Sequence, residues 1–432
     1  MPSTPERRSF RHAALGTTYR RLWVSNAASA IGSGMTVTAI PLVAAVAPDS
    51  EVTLGVIAAA GIVPGLLFAI PAGIATDRFD RRLVLVWADL LRAAVLLVTF
   101  VAVVADRVSV ALLAFAVFAV GAGETVYISA SQAFVPSVVD HAELDEANGR
   151  LQAAEDVGRE FVGPPLGSLA FSLARWLPFA ADAISYLVSA LVLVGIRSNR
   201  ESARLEPAPD GRTADDDVET TVRSQANMGD AWQFFRGSRT LVVLCAAMFM
   251  LAMCGSAVLA LLVLIVRDQL GVPDAWYGPI LAVMALGATV AGLSAGRLRG
   301  VISAELALIG AVALNALAYL VLGATERWPV GVVTFFVWGF AVTFGNITSV
   351  GIRQRLIPAE LLGRTMSLFR MALGAGGLIG ALTGGLLAAA TSPGVVAVAA
   401  GVIQIPVIVM LVLALPRHAG QPPAAEPASP VP

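Results

Sequence analysis

Gly73-Ile74-Ala75-Thr76-Asp77-Arg78-Phe79-Asp80-Arg81-Arg82 is the stretch whose reading decides the fold. It closes one long apolar run and opens the next, with Asp77, Arg78, Asp80, Arg81 and Arg82 crowded between them. In a chain that is 57% hydrophobic and 14% charged, such a knot marks a tight turn at one face of a membrane.

The rest of the 432-residue chain agrees with that reading. Its mean hydropathy is +0.78, well above that of soluble proteins. Apolar runs recur to the end, each long enough to cross a hydrocarbon core of ~30 Å as helix. The expected class is an all-α polytopic membrane protein. Every basic residue is Arg; there is no Lys, which removes the phosphate-binding lysine of a P-loop and with it ATP-driven transport. Cys245 and Cys254 lie nine residues apart in one run, on opposite sides of a helix, so neither a disulfide nor a metal pair is expected. The three histidines show no metal spacing. No nucleophile motif is present, so no enzyme, metal or bound cofactor is expected.

The apolar runs fall at 22–47, 53–76, 83–104, 108–133, 149–173 and 177–197, then 239–266, 276–296, 301–323, 328–350, 361–390 and 394–415. These twelve spans give a six-helix unit at 22–197 and another at 239–415, flanked by a polar N-terminus (1–21) and a Pro/Ala-rich tail (416–432) expected to be disordered. The stretch 198–238, with Asp215-Asp216-Asp217, Pro207 and Pro209, reads as a linker. Met228, Trp232 and Phe235 share one helical face at its end, predicting a short interfacial helix. Arginine placement supports the count. With the N-terminus on the cytoplasmic side, 22 of the 29 basic residues fall on that side and four on the other, as the positive-inside rule requires. Both termini are therefore expected in the cytoplasm and the protein in the plasma membrane. A weak repeat links the halves: Gly73-x3-Asp77-Arg78 with Gly292-x3-Gly296-Arg297, Gly149-Arg150 with Gly363-Arg364, and Gly163-x3-Gly167 with Gly376-x3-Gly380.

Twelve spans split six and six, together with the Gly73–Arg82 loop, resemble the major facilitator superfamily over nearly the whole chain. Asp89-Leu90-Leu91-Arg92, Pro136…Leu144-x2-Ala147-Asn148, Gly163-Pro164-x2-Gly167 and Asp182-Ala183-x2-Tyr186 resemble its macrolide-efflux and enterobactin-exporter branch. The resemblance implies a conformational gate at Gly73, Asp77, Arg78, Arg81 and Arg82. In it Gly73 allows close helix approach, Asp77 faces the N-terminus of span eleven near Leu361, and the arginines pair with acids. It also implies that Gly163, Pro164 and Gly167 form an antiporter-type motif in span five, although the final Gly of that pattern is Ser168 here. A plain basic turn and a plain proline kink are the simpler alternatives.

Charges inside spans are costly and usually functional. The candidates for proton coupling are Glu124, Asp89, Arg92, Asp182 and Arg370. Glu124 has no basic residue within a turn in sequence, and the family's usual Arg in span four is missing. It reads either as a proton or cation site or as the partner of an Arg on another helix. Asp89 and Arg92 stand at i, i+3, ~10 Å inside the span, as a self-neutralised pair or a coupling pair. Glu155, Asp156, Arg159 and Glu160 are expected to neutralise one another. Asp182 is expected to pair with Arg175, and Arg370 must find an acid across helices or face water.

The resemblance implies that spans one, four, seven and ten line a central cavity, which makes Asn26, Ser29, Ser33, Tyr127, Met250, Met253, Trp338, Phe344 and Asn346 candidate wall residues. Few charges and adaptable apolar side chains suit a hydrophobic or amphipathic small molecule. The expected function is proton-driven efflux of such a compound by alternating access, by a monomer in the lipid bilayer with no nucleic-acid partner. Import of a metabolite and a non-transporting sensor are the alternatives.

Overall fold

The computed structural model describes residues 16–139, 143–195, 228–299 and 301–415. Of the terminal and linker segments expected from the sequence, 1–15, 196–227 and 416–432 lie outside the described residues.

The described chain is helical: α1 (Thr17–Ala44), α2 (Ser50–Leu67), α3 (Ala69–Arg78), α4 (Arg81–Val104), α5 (Val110–Phe134), α6 (Leu144–Asp156), α7 (Gly163–Leu173), α8 (Leu177–Val194), α9 (Met228–Gly237), α10 (Arg239–Ala260), α11 (Tyr277–Arg299), α12 (Ala304–Ala324), α13 (Trp328–Leu356), α14 (Ala359–Ala390) and α15 (Pro393–Ala414). The apolar runs supply the helices, and short polar side chains start them. Ser109, Ser238, Ser303 and Ser392 each accept a hydrogen bond from a backbone N–H of the first turn of α5, α10, α12 and α15. Asp80 does the same for α4 through the Arg82 N–H at 3.0 Å, so part of the charged loop is simply a helix cap.

Eleven of the described helices are long and apolar enough to cross a membrane. The expected span that remains, 149–173, corresponds to α6–α7, which is not one α-helix but two joined by a π turn at Val157–Val162. Pro164 and Pro165 cannot donate to the carbonyls four residues before them. The Gly163 N–H bonds the Gly158 carbonyl instead, the i→i+5 pattern of a π turn. The second expected span is also divided, breaking at Phe68 between Pro64 and Pro71.

Two bundles result. In the first, α1 packs on α7 and α8, α4 on α5 and α8, and α2 on α5. In the second, α10 packs on α14 and α15, α11 on α13, and α12 on α13 and α15. The short helix α9 is present as expected. It is less free than an interfacial helix, because Phe235 is buried and meets the Phe369 ring edge-on at 6.1 Å. Trp232 stacks on Phe235 from the exposed side.

The face holding residues 16 and 415 is here called the terminal face, and its opposite the far face. The bundles meet through α2 on α14 and α7 on α11. Hydrogen bonds that cross between them lie at the far face: Arg267 donates to the Ala45 carbonyl (3.0 Å) and Ser168 to the Ala275 carbonyl (2.9 Å). Towards the terminal face, α3 packs on α5 of its own bundle rather than on α14. The far face is thus sealed while the terminal ends part.

Candidate functional site

The π turn distributes two neighbouring charges. Adjacent helical residues point ~100° apart, and here Arg159 and Glu160 take separate fates. Arg159 reaches across to α5 and forms a bidentate ion pair with Glu124, both side chains being partly exposed. The basic residue absent from α5 is therefore supplied by the next crossing, and the expected self-neutralising cluster on span five does not form. Sequence spacing could not reveal this, because 35 residues separate the partners. Glu160 stays without an ion-pair partner among the described residues and lines a cavity of about 530 Å³.

That cavity faces the second bundle. Its wall is mainly apolar, from Met248 and Leu251 on α10 through Met284 on α11 to Trp338 on α13. Among the described residues Glu160 is the only charged side chain on it. Asn315 and Tyr319 of α12 add polarity. Asn315 Oδ1 and the Tyr319 hydroxyl are buried with no hydrogen-bond partner, and Asn315 Nδ2 donates to Gln404 at 3.1 Å. Tyr319 and Trp338 form an edge-to-face pair, centroids 5.2 Å apart.

Of the wall residues expected from the sequence, Trp338 and Asn346 line this cavity; the others do not. Asn26, Ser29 and Tyr127 are buried in the first bundle, and Ser33 is held there by Tyr186 through a 2.8 Å hydrogen bond. Phe344 is buried against Phe340, and the Met253 backbone packs on Gly380. Met250 is partly buried against the core of the second bundle. Helical periodicity identifies a face but not which neighbour that face meets. Glu160, Asn315 and Tyr319, like Met248, Leu251 and Met284, are wall residues that sequence reasoning did not name as such, and the Pro164-Pro165 pair was the available clue to the first.

The intramembrane acids of the first bundle have other occupations. Asp89 and Arg92 are paired and buried, and Ser189, itself 2.5 Å from Ser25, hydrogen-bonds Asp89. The Arg92 guanidinium is held between the rings of Tyr127 and Tyr186, 4.6 and 4.3 Å from their centroids. Asp182 does not meet Arg175. It is fully buried and accepts hydrogen bonds from Thr36 (2.5 Å) and Ser185 (3.2 Å) instead. Arg370 is exposed and has no ion pair among the described residues.

The charged loop is likewise occupied within its own bundle. Arg81 donates to the Ala133 carbonyl (2.8 Å), and Arg82 donates to the carbonyls of Leu193 and Val194 at the end of α8. Cations at helix C-termini complement unpaired carbonyls, so these arginines bind carbonyls where acids were expected. Asp77 is exposed and makes no hydrogen bond or ion pair among the described residues. A Cβ on Gly73 would meet no atom within 4 Å, so the close approach expected there is not made with the terminal ends apart.

The span-five motif has a packing role. A Cβ on Gly163 would lie 2.6 Å from Gly34 Cα and 2.7 Å from the Ile31 carbonyl oxygen, all backbone of α1. Gly163→Ala must push α1 and α7 apart, an overpacking cost of about 1–3 kcal/mol. The expected result is a lower thermal midpoint for the detergent-solubilised protein, read by loss of its monodisperse peak on heating. An unchanged midpoint would show that α1 relaxes freely.

A family profile described as "Transmembrane secretion effector" matches residues 12–430. No curated protein matches the chain by sequence. Several solved transporters share its fold at low identity. A bacterial homolog of the human lysosomal transporter Spinster, solved inward-facing and unoccupied, is 14% identical with a TM-score of 0.68, covering 92% of this chain and 94% of that one. The nucleoside transporter NupG is 12% identical with a TM-score of 0.70, covering 92% and 99%. A bacterial homologue of the iron transporter ferroportin, inward-facing, is 16% identical with a TM-score of 0.69, covering 91% and 98%.

Proposed function

This chain belongs to the transmembrane secretion effector family of major facilitator transporters, and on that premise we propose that it exports a hydrophobic or amphipathic small molecule in exchange for protons. It is a multi-pass membrane transport protein, not an enzyme. The observation that carries the export reading is the apolar cavity of about 530 Å³ between bundles whose far-face ends are sealed. Such a wall binds molecules by area and shape rather than by a dense array of polar contacts. The arginine asymmetry supports a cytoplasmic terminal face, and an exporter in this arrangement loads from the cytoplasm and bilayer side and releases outward after the bundles rock. The membrane concerned is the plasma membrane, and the proton gradient supplies the energy.

Glu124 is the proton carrier in this reading. Deprotonated, it holds Arg159 and ties α5 to the π turn. Protonated, it lets the guanidinium go and loosens that tie. Arg92, lying alongside Gly123, is the other positive charge near this point. In everted vesicles, Glu124→Gln is expected to lower pH-driven uptake of fluorescent amphipaths at least ~tenfold, a barrier change of ~1.4 kcal/mol, while downhill counterflow persists. Uptake that keeps its response to the pH gradient in the variant would remove Glu124 from the coupling scheme.

A further inference from the structure

We propose that the cavity selects monovalent organic cations, with the Glu160 carboxylate as counter-charge and the apolar wall of α10, α11 and α13 holding the body of the molecule. The inference rests on the reading of this cavity as the substrate site and narrows it to one charge class.

Glu160 is exposed to the open cavity, and a ligand that fills the cavity takes water from its carboxylate, which is costly unless a cation faces it. Arg159, the neighbouring guanidinium, is committed to Glu124. No other charged side chain lines the cavity among the described residues, and Glu160 makes no ion pair there. The packed neighbours do not supply a cation either. Arg20 and Arg21 lie in the first five residues of α1, Arg150 on α6 pairs with Glu146, Arg353 on α13 is buried against the Phe369 ring, and Arg297 and Arg299 lie at the terminal end of α11. The missing positive charge is therefore left for the ligand to bring.

The remaining wall agrees. Asn315 Oδ1, a buried acceptor without a partner, and the unpartnered Tyr319 hydroxyl add no positive charge. Met248 and Met284 adapt to bulky apolar bodies. An anion would meet Glu160 unfavourably, and a neutral molecule would bury the carboxylate uncompensated.

The test is equilibrium binding to the purified full chain in detergent, with tetraphenylphosphonium as the cation and triphenylphosphine oxide as its neutral counterpart. Wild type is expected to prefer the cation at least ~tenfold. Glu160→Gln should remove most of that preference by weakening the cation and holding or raising the affinity for the neutral probe, and Glu160→Asp should keep it. Equal loss of both probes in Glu160→Gln, an undiminished preference, or no preference in wild type would each overturn the proposal. If Glu160→Gln does not fold, the wild-type preference and Glu160→Asp still decide. Binding is measured without any gradient. A protein that binds the cation through Glu160 but carries it inward loses the export reading alone, whereas an exporter of neutral compounds loses this inference alone.

Discussion

Gly278→Val is expected to abolish transport while leaving both bundles folded. A Cβ at this position would lie 1.9 Å from the Pro164 carbonyl oxygen and 2.6 Å from Ser168 Oγ. Gly278 begins α11 on one bundle, and Pro164 lies on α7 of the other. The obstruction is backbone, and a prolyl segment at that, so no rotamer change relieves it. Valine there must hold α11 away from α7 and break the hydrogen bond from Ser168 to the Ala275 carbonyl that seals the far face. Alternating access needs that face to close. The substitution should therefore favour the arrangement open at the far face and lower the transport rate at least ~100-fold, an added barrier of ~2.7 kcal/mol. A cysteine introduced as Ala275→Cys should be labelled by a membrane-impermeant maleimide faster in Gly278→Val than in the otherwise wild-type protein. Normal transport with unchanged labelling would mean that α11 and α7 separate without cost.

Asp89→Ala is expected to cost about 3–5 kcal/mol of folding stability, the usual penalty for leaving one partner of a buried ion pair alone. Arg92 is only 3% exposed and lies between two tyrosine rings, so it has no route to water. The Ser25–Ser189 hydroxyl chain that ends on Asp89 would lose its acceptor as well. The expected observation is a sharp fall in folded, monodisperse protein. Asp89→Leu combined with Arg92→Met should restore much of it, because apolar replacement of a whole buried pair is often neutral. Recovery of the fold with recovery of pH-driven transport would make the pair structural. Recovery of the fold alone would give it a part in coupling.

Much of this architecture was legible in the chain. The apolar runs, the arginine bias and the Gly73–Arg82 loop led to twelve crossings in two units, and the family match spans nearly all of it. The site was legible only in pieces. Trp338 and Asn346 line the cavity, whereas Asn26, Ser29 and Tyr127 share the same kind of periodicity and are buried in their own bundle. Glu124 was noticed as a carboxylate without a local cation, but its partner sits on another helix. Asp182 was matched to the nearest Arg in sequence, and Thr36 on α1 took that place instead.

The sequence by itself determined where the chain crosses the bilayer, because hydropathy over about twenty residues is a local sum that no distant contact can alter. It also determined that span five could not run as a plain α-helix, since two adjacent prolines withhold their N–H groups whatever surrounds them. Tertiary structure alone decided which charges meet. An ion pair depends on the rotation and crossing of two helices, and a change of one residue in register turns a side chain ~100°. The π turn makes such a change where it matters. It sends Arg159 to Glu124 and leaves Glu160 facing the cavity, and the chemistry of the site follows from that division.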